Sequence, residues 1–492
     1  MTDRNIYKEG GFLPEPLIFE KRKDRSGFSL SPSEVPEKDI AEIVPAHLTR
    51  GPVEGLPEIS ELEVVRHFTR LSQWNHSINT AFYPLGSCTM KYNPKINERT
   101  AAYPGFSYTH PEQTDSSVQG NLRLLHLLGT YLCELCGMDA ISLQPAAGAQ
   151  GELTGMMLIH ACLKKRDGNP RKKILIPNSA HGTNPASAAL CGYQVVELPS
   201  NERGCLDIAA LESAMDEDVA ALMLTNPNTV GFFEEEIEAI VSIVHSKGGL
   251  VYLDGANMNA IVGVARPGDF GIDVMHLNLH KTFSTPHGGG GPGAGPVLVK
   301  SILEPFLPVP RILENQEGYS LSYQHPDSIG KVHSFFGNFR ILVRAYTYLQ
   351  AYGSDHIRNV AEFAVLNANY IRVKLKDTYH LPYDRPVMHE AIFSDKWQLK
   401  QDVKTLDIAK RLMDYGYHPP TIYFPLIVPG AMMIEPTETE SLQSLNGFID
   451  AMKQIAEETR TQPEIVRSAP HTTKITRLDE AEAARKPVLR WK

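Results

Sequence analysis

From about residue 115 onward the apolar positions fall into two alternating rhythms. Val118, Leu122, Leu125, Leu128, Leu132 and Leu135 recur at helical spacing, which places them on one face of a long amphipathic helix. Short apolar runs follow at Ala140–Leu143, Lys173–Ile176, Ala220–Leu224, Leu250–Leu253 and Ile272–Met275. Helix-compatible stretches such as Leu206–Met215 and Glu234–His245 lie between them. Strands without polar alternation are buried on both faces, so this order predicts a mostly parallel sheet covered by helices on both sides. Beyond the glycine-rich stretch 288–295 the pattern is mixed. A helical region around Asn338–Tyr352, strand-like Ile422–Pro425 and helix-like Glu440–Glu457 predict a second, smaller α+β domain.

The first eighty residues read differently. Pro14, Pro16, Pro32, Pro36, Pro45, Pro52 and Pro57 recur beside the charge run Glu20–Arg25, and helical periodicity begins only near Ile59. Such a segment is either an extended arm lying over something else, such as a partner subunit, or a disordered tail. The expected organisation is an arm over residues 1–85, a large domain over 86–335 and a small C-terminal domain over 336–492.

A chain of 492 residues, 42% hydrophobic, has ample material for two or three cores. Its formal charge of −9 argues against non-specific nucleic-acid binding, which needs a basic face. The N-terminus carries no apolar signal region, and no apolar run reaches membrane-spanning length. Six cysteines without a framework of spacings fit a reducing compartment, so a cytoplasmic, soluble protein is expected.

Four segments near strand ends carry candidate chemistry, and ligands in such folds sit beyond the carboxyl ends of the strands. Gln144–Gly151 follows a strand and opens a helix, so its small residues let backbone N–H groups approach an anion. An ordinary strand-to-helix turn would look the same, and the segment has neither P-loop nor dinucleotide spacing. His181, in Ser179–Pro185, offers an imidazole that can stack on a planar ring and move a proton, or simply cap a helix. Asp254 ends the apolar strand Leu250–Leu253, where a carboxylate needs a partner; a protonated pyridine nitrogen is one, and a helix cap is another.

The fourth segment, His276–Phe283, is the most specific, and Ser284–His287 and the glycines of 288–295 follow it. A lysine at the end of a mostly apolar strand lies beside the cleft, where partial desolvation favours a neutral amine able to condense with an aldehyde. Lys281 stands 27 residues after Asp254, one strand–helix–strand step away, and this relation favours a cofactor over a merely solvated lysine. Thr225 or Asn226, at the end of Ala220–Leu224, could donate to a phenolic oxygen.

Together these segments resemble the fold-type I pyridoxal-phosphate-dependent transferases. With Phe82–Pro94 (Phe-Tyr-Pro-Leu-Gly-Ser-Cys-Thr-Met-Lys-Tyr-Asn-Pro) and the closing segment Ala481–Trp491, the chain resembles the P-protein of the glycine cleavage system over essentially its whole length. The similarity is to the C-terminal half of the long single-chain forms, hence to subunit 2 (beta) of the split enzyme, glycine dehydrogenase (aminomethyl-transferring). The resemblance implies pyridoxal 5′-phosphate as cofactor, an alpha subunit (subunit 1) as partner in an α2β2 assembly, glycine as substrate and the lipoylated H-protein as acceptor. Residue by residue, it implies Lys281 as the lysine that holds the cofactor, Asp254 on the pyridine nitrogen and His181 over the ring. It also implies phosphate contacts at Ala147, Gly148, Gln150 and His280, with Asn226 and Ala256 counted among the cofactor-binding positions. No metal is expected.

On that reading glycine loses carbon dioxide and its aminomethyl group passes to lipoyl sulfur, with Lys281 or His181 returning protons. Arg340, Arg344 and Arg467 are unranked candidates for the substrate's carboxylate ligand. The competing readings are another fold-type I activity, such as an aminotransferase or cysteine desulfurase, and a cofactor-free structural subunit. Cys133 and Cys136 fall inside the long helix without two further ligands nearby in sequence, so packing outweighs zinc. Cys88, in Gly-Ser-Cys-Thr, is a candidate regulatory thiol.

Overall fold

Seven strands form the central sheet of the computed structural model, which describes residues 15–21, 31–51, 56–168, 171–287 and 293–489. Much of the glycine run, Gly288–Pro292, lies outside the described residues, as do Pro14, Pro52, the end of the charge run and the terminal Arg490 and Trp491. The strands are β1 Ala140–Ser142, β2 Lys173–Pro177, β3 Gln194–Leu198, β4 Val219–Thr225, β5 Leu250–Gly255, β6 Val274–Leu277 and β7 Val297–Val299. Their order is β1-β7-β6-β5-β4-β2-β3. Strands β3, β2, β4, β5 and β6 pair in parallel, and β7 runs antiparallel to both β6 and β1. Every residue of β4, β5 and β6 is buried, which accounts for the unbroken apolar runs that mark them in the sequence. The fold is the mostly parallel α/β architecture expected from the sequence.

The long helix predicted from Val118 is observed at Gln119–Cys136 and stops at Gly137, whose φ of 69° is the left-handed conformation that ends helices. Two strands escape the apolar-run reading. The edge strand β3 is partly exposed, and β7 is only three residues long behind the glycine run. The run predicted at Ile272–Met275 begins later, at Val274. Asp273 turns its carboxylate onto Val251 N–H (2.7 Å) and His245 (2.7 Å) instead of extending the strand. Helix Leu206–Met215 is shorter, Ile208–Ala214, because the Asp207 side chain caps it by accepting from Ala210 N–H.

The C-terminal region holds a three-stranded antiparallel sheet in the order Ala391–Ser394, Ala431–Ile434, Thr421–Ile422. Of the strand-like run 422–425 only Ile422 lies in the sheet, because Tyr423 has a φ of 58°. Helices Phe339–Leu375, broken at Gly353 (φ 64°), and Leu442–Thr461 cover it. Their apolar faces share one core with Phe393, Met432, Phe448 and Met452.

By contact density the chain divides into two units, Met1–Ser77 with Thr472–Leu478, and Ile78–His471 with Asp479–Lys492. In the first, helix Glu61–Gln73 starts with a reciprocal cap between Ser60 and Glu63. Glu15 accepts from His67 (2.6 Å) and Arg70 (2.9 Å) and pairs with Lys21. Burial alone would raise this carboxyl's pKa, but its hydrogen bonds with Lys21, Arg70 and His67 outweigh it and hold the group at about 2. Among the described residues no helix is long and apolar enough to cross a membrane.

Candidate active site

The carboxyl ends of β4, β5 and β6 open onto a cavity of about 210 Å3. Into it project Lys281, Asp254, His181, Thr225 and Thr229, with Ala147 and Gly148 at the start of helix Gly148–Asp167. Ala256, His280 and His287 complete much of the wall, and Ser87 reaches it from the segment before the large sheet. The four segments singled out in the sequence therefore meet at one place. Lys281 lies in a turn four residues beyond the end of β6 rather than on the strand itself.

Asp254, 3% exposed, accepts from Ala256 N–H (2.9 Å), which fixes one oxygen. His276 Nε2 lies 3.5 Å from the same oxygen. Tyr252 O–H meets His276 Nδ1 at 2.5 Å, and His276 Nε2 meets Asn278 Oδ1 at 3.0 Å, so the imidazole is clamped between two partners. The Asn184 amide nitrogen, in the orientation its acceptors require, donates to Asp254 Oδ2 (3.3 Å) and Glu152 Oε2 (2.9 Å). Thr183 O–H donates to Glu152 Oε1 (2.8 Å) and also contacts His181 Nδ1 (2.9 Å). Burial, reinforced by the Asp254 charge, pushes Glu152 up to about 8. Glu152 is thus protonated at neutral pH.

At the other end, the N-terminus of helix Gly148–Asp167 presents backbone N–H groups beside His280 and His287. Burial pushes these imidazoles down to about 3 and about 4, with neighbouring cations acting in the same sense. Neutral histidines and a helix N-terminus form an end suited to a phosphate. Gly148 is required there, since a Cβ would lie 2.0 Å from Asn278 Nδ2. Gly148→Ala is expected to turn Asn278 away and break its link to His276. The measured dissociation constant of the apoprotein for pyridoxal phosphate should then rise about tenfold.

Two expected residues lie elsewhere. The Gln150 side chain is spent on backbone, accepting from Ala146 N–H (2.6 Å) and donating to Val332 C=O (2.5 Å). Asn226 accepts from Glu234 N–H (3.0 Å), whereas Thr225, the other alternative, faces the cavity. None of the three arginines considered for a carboxylate lines the cavity. Arg340 donates to Ala101 C=O, Arg344 pairs with Glu98 and Arg467 with Glu464. Cys133 is half-buried and Cys136 buried, and burial raises both thiols well above the ordinary range. Sequence reasoning passed over Glu152, Thr183, His276 and Asn278. A histidine inside the apolar run Val274-Met275-His276-Leu277 was the available signal, since a buried imidazole needs partners.

The raised carboxyls fix the sign of a pH effect. Unfolded glutamates release their protons near 4.5, whereas folded Glu152 holds its proton to about 8 and Glu435 to about 7. Their contribution to stability is complete below pH 4.5 and is lost progressively up to pH 8. The melting temperature of the apoprotein should therefore carry a downward term between pH 5 and 8, and the slope should be shallower in Glu152→Gln. An unchanged slope in that variant would show Glu152 ionised in the folded state.

The cavity suits pyridoxal phosphate. It joins an amine for an aldehyde, a carboxylate for a ring nitrogen and a helix N-terminus for a phosphate. Thr225 Oγ1, Asn257 Oδ1 and His280 Nδ1 are buried at its wall without a protein partner. The sheet and this cavity are those of a fold-type I pyridoxal-phosphate enzyme. Residues 150–302 match the family of aminotransferase class-V, and residues 360–474 match the glycine dehydrogenase C-terminal domain. A Listeria monocytogenes protein named "Probable glycine dehydrogenase (decarboxylating) subunit 2" is 56% identical over 477 residues, 97% of this chain and 98% of its own. A protein of the same name from Caldanaerobacter subterraneus subsp. tengcongensis is 54% identical over 476 residues, 96% of this chain and 98% of its own. The chain belongs to the glycine dehydrogenase (decarboxylating) subunit 2 family. Solved structures show the same fold. A glycine decarboxylase (P-protein) of the glycine cleavage system, in inhibitor-bound form, superposes with a TM-score of 0.71 at 20% identity, covering 84% of this chain and 94% of that one. The Escherichia coli cysteine desulfurase CsdA gives 0.59 at 15% identity, covering 79% and 97%.

Proposed function

We propose that this glycine-decarboxylating enzyme transfers the aminomethyl group left by decarboxylation to the lipoyl arm of an H-protein and releases carbon dioxide. The convergence of Lys281 and Asp254 on one cavity, in a chain of this family, carries the reading. Bound pyridoxal phosphate supplies an electron sink for the pair released when the substrate's carboxylate leaves.

The chain's own residues do the rest. Lys281 would hold the cofactor covalently, and its Nζ can carry a proton once free. Asp254 would pair with the ring nitrogen, and its clamp by Ala256 N–H and the Asn184 amide keeps it oriented. His181, at the exposed mouth of the cavity with Nδ1 set by Thr183, would contact the ring and can return a proton. Ala147, Gly148 and His280 would take the phosphate, with Thr225 and Ala256 available to the ring. Protonated Glu152 sits beside Asp254 without adding a second negative charge.

Exchange of labelled bicarbonate into glycine, dependent on H-protein, tests the reading. Reproducible transamination without H-protein would favour an aminotransferase instead. A structural subunit without cofactor predicts no Lys281 adduct after borohydride reduction and peptide mapping.

The subunit 2 family name supports an alpha partner, which we place with this chain in an α2β2 assembly in the cytoplasm. Exposed Leu62, Val65 and Phe68 on one face of helix Glu61–Gln73 support an N-terminal arm that docks on another subunit. The arm is assigned to residues 1–85, the cofactor domain to 86–335 and the small domain to 336–492. Exchange activity that needs both subunits, and a mass in solution of two copies of each, is the expected result.

A further inference from the structure

The cavity is built for an amino acid, yet among the described residues no arginine lines it. A second cluster of titratable groups lies behind one of its walls. His389, Glu390 and Glu435 are all fully buried, and their ligand-type atoms lie within 4.8 Å of one another. They stand at the paired ends of strands Ala391–Ser394 and Ala431–Ile434. Each carboxyl reaches toward the segment Gly86–Thr89. Ser87 N–H donates to Glu390 Oε2 (3.1 Å), while Thr89 N–H donates to Glu435 Oε2 (3.1 Å) and Thr89 O–H to Glu435 Oε1 (2.5 Å).

Those bonds hold two residues in a conformation that side chains disfavour, with φ of 64° at Ser87 and 43° at Thr89. Gly86 lies against the same strand, where a Cβ would meet Met433 at 2.2 Å. The result is that Ser87 is presented to the cavity. We propose that Ser87 receives the substrate's carboxylate and that Glu390 and Glu435 are the positioning residues that set it there. This rests on glycine as the substrate and names the contact that the arginines do not supply.

The proton inventory is consistent with this role. Both Glu435 oxygens accept from Thr89, which offsets part of the upward push of burial and leaves this carboxyl at about 7, whereas Glu390 Oε1 is buried without a partner, which favours an acid. Burial, then the Glu435 charge, raises Glu390 well above the ordinary range. The other charged or titratable groups facing the pair are Lys281, Lys91, Cys88 and His389. His389 is driven down to about 3 and is neutral. A neutral Glu390 behind Ser87 lets an anion approach, where two carboxylates would repel it. A hydroxyl rather than an arginine also suits a decarboxylation, because a strong ion pair would stabilise the carboxylate that must leave.

The test uses Ser87→Gly, since glycine accepts the positive φ and removes only the side chain. In the assembled enzyme with H-protein, KM for glycine should rise about ten- to a hundredfold with a smaller change in kcat. Affinity of the apoprotein for pyridoxal phosphate should be unchanged. An unaltered KM, or a loss confined to kcat, would overturn the proposal. Independently of activity, the infrared difference between wild-type and Glu390→Gln apoprotein at pH 7 should contain a deuterium-sensitive protonated-carboxyl band, since the Glu152 band is common to both and cancels. Absence of that band from the difference spectrum would overturn the assignment of Glu390. Failure of the wild-type assembly to exchange bicarbonate at all would instead defeat the functional reading, whatever the infrared result.

Discussion

Lys281→Arg should lower glycine–bicarbonate exchange by at least about 10³-fold while leaving the fold intact. The substitution keeps a positive charge and a long side chain, but a guanidinium is always protonated and cannot condense with an aldehyde. Lys281 is only partly buried, so the melting temperature should change little. After borohydride reduction, the wild type should yield a cofactor-labelled peptide containing Lys281 and the variant none. A labelled peptide from any other lysine would move the site. Pyridoxal phosphate should still bind the variant reversibly, because the helix N-terminus at Gly148 and the Asp254 carboxylate remain.

The second large effect is expected from Asp254→Asn. The exchange of one oxygen for an amide preserves volume in a position only 3% exposed, so the loss reports charge rather than packing. A neutral amide cannot hold the ring nitrogen's proton, and the electron sink weakens. A fall in exchange of about 10²–10⁴-fold is the expected magnitude. Asp254→Glu should not restore it, since an extra methylene overfills a site already occupied by Asn184 and His276. The variant has a second signature. The Asp254 charge helps to raise Glu152, so its removal should lower the Glu152 titration and shift the pH dependence of the cofactor's absorbance. An active Asp254→Asn enzyme would place the ring nitrogen against another group.

The parallel centre of the sheet was legible because β2, β4 and β5 are buried on both faces, and that burial leaves apolar runs in the sequence. Edge strand β3 keeps polar residues on its open side, and β7 follows a glycine run that hides where the chain reverses. The break in helix Phe339–Leu375 was equally hidden, because a single glycine, Gly353, performs it. In the site, Lys281 and Asp254 could be found by their offset, since Asp254 lies near the end of β5 and Lys281 just beyond the adjacent parallel β6. Glu152 could not, because nothing in Gly148–Gly155 says which turn of the helix faces β5. Gln150 and Asn226 read as ligands by position in the chain, but their side chains satisfy nearby backbone groups. Ser87 depends on two glutamates about three hundred and three hundred and fifty residues later, a relation that no local pattern encodes.

The close approach of two loops limits how this enzyme can be re-engineered. A Cβ at Gly295 would lie 2.0 Å from Ala147 C=O, and one at Gly151 would lie 2.6 Å from Gly295 C=O. The start of helix Gly148–Asp167 and the chain entering β7 are therefore interlocked through bare backbone, and neither tolerates bulk unless the other retreats. Room for a larger amino acid is better sought at Ser87, His181 and Thr229, whose side chains also line the cavity.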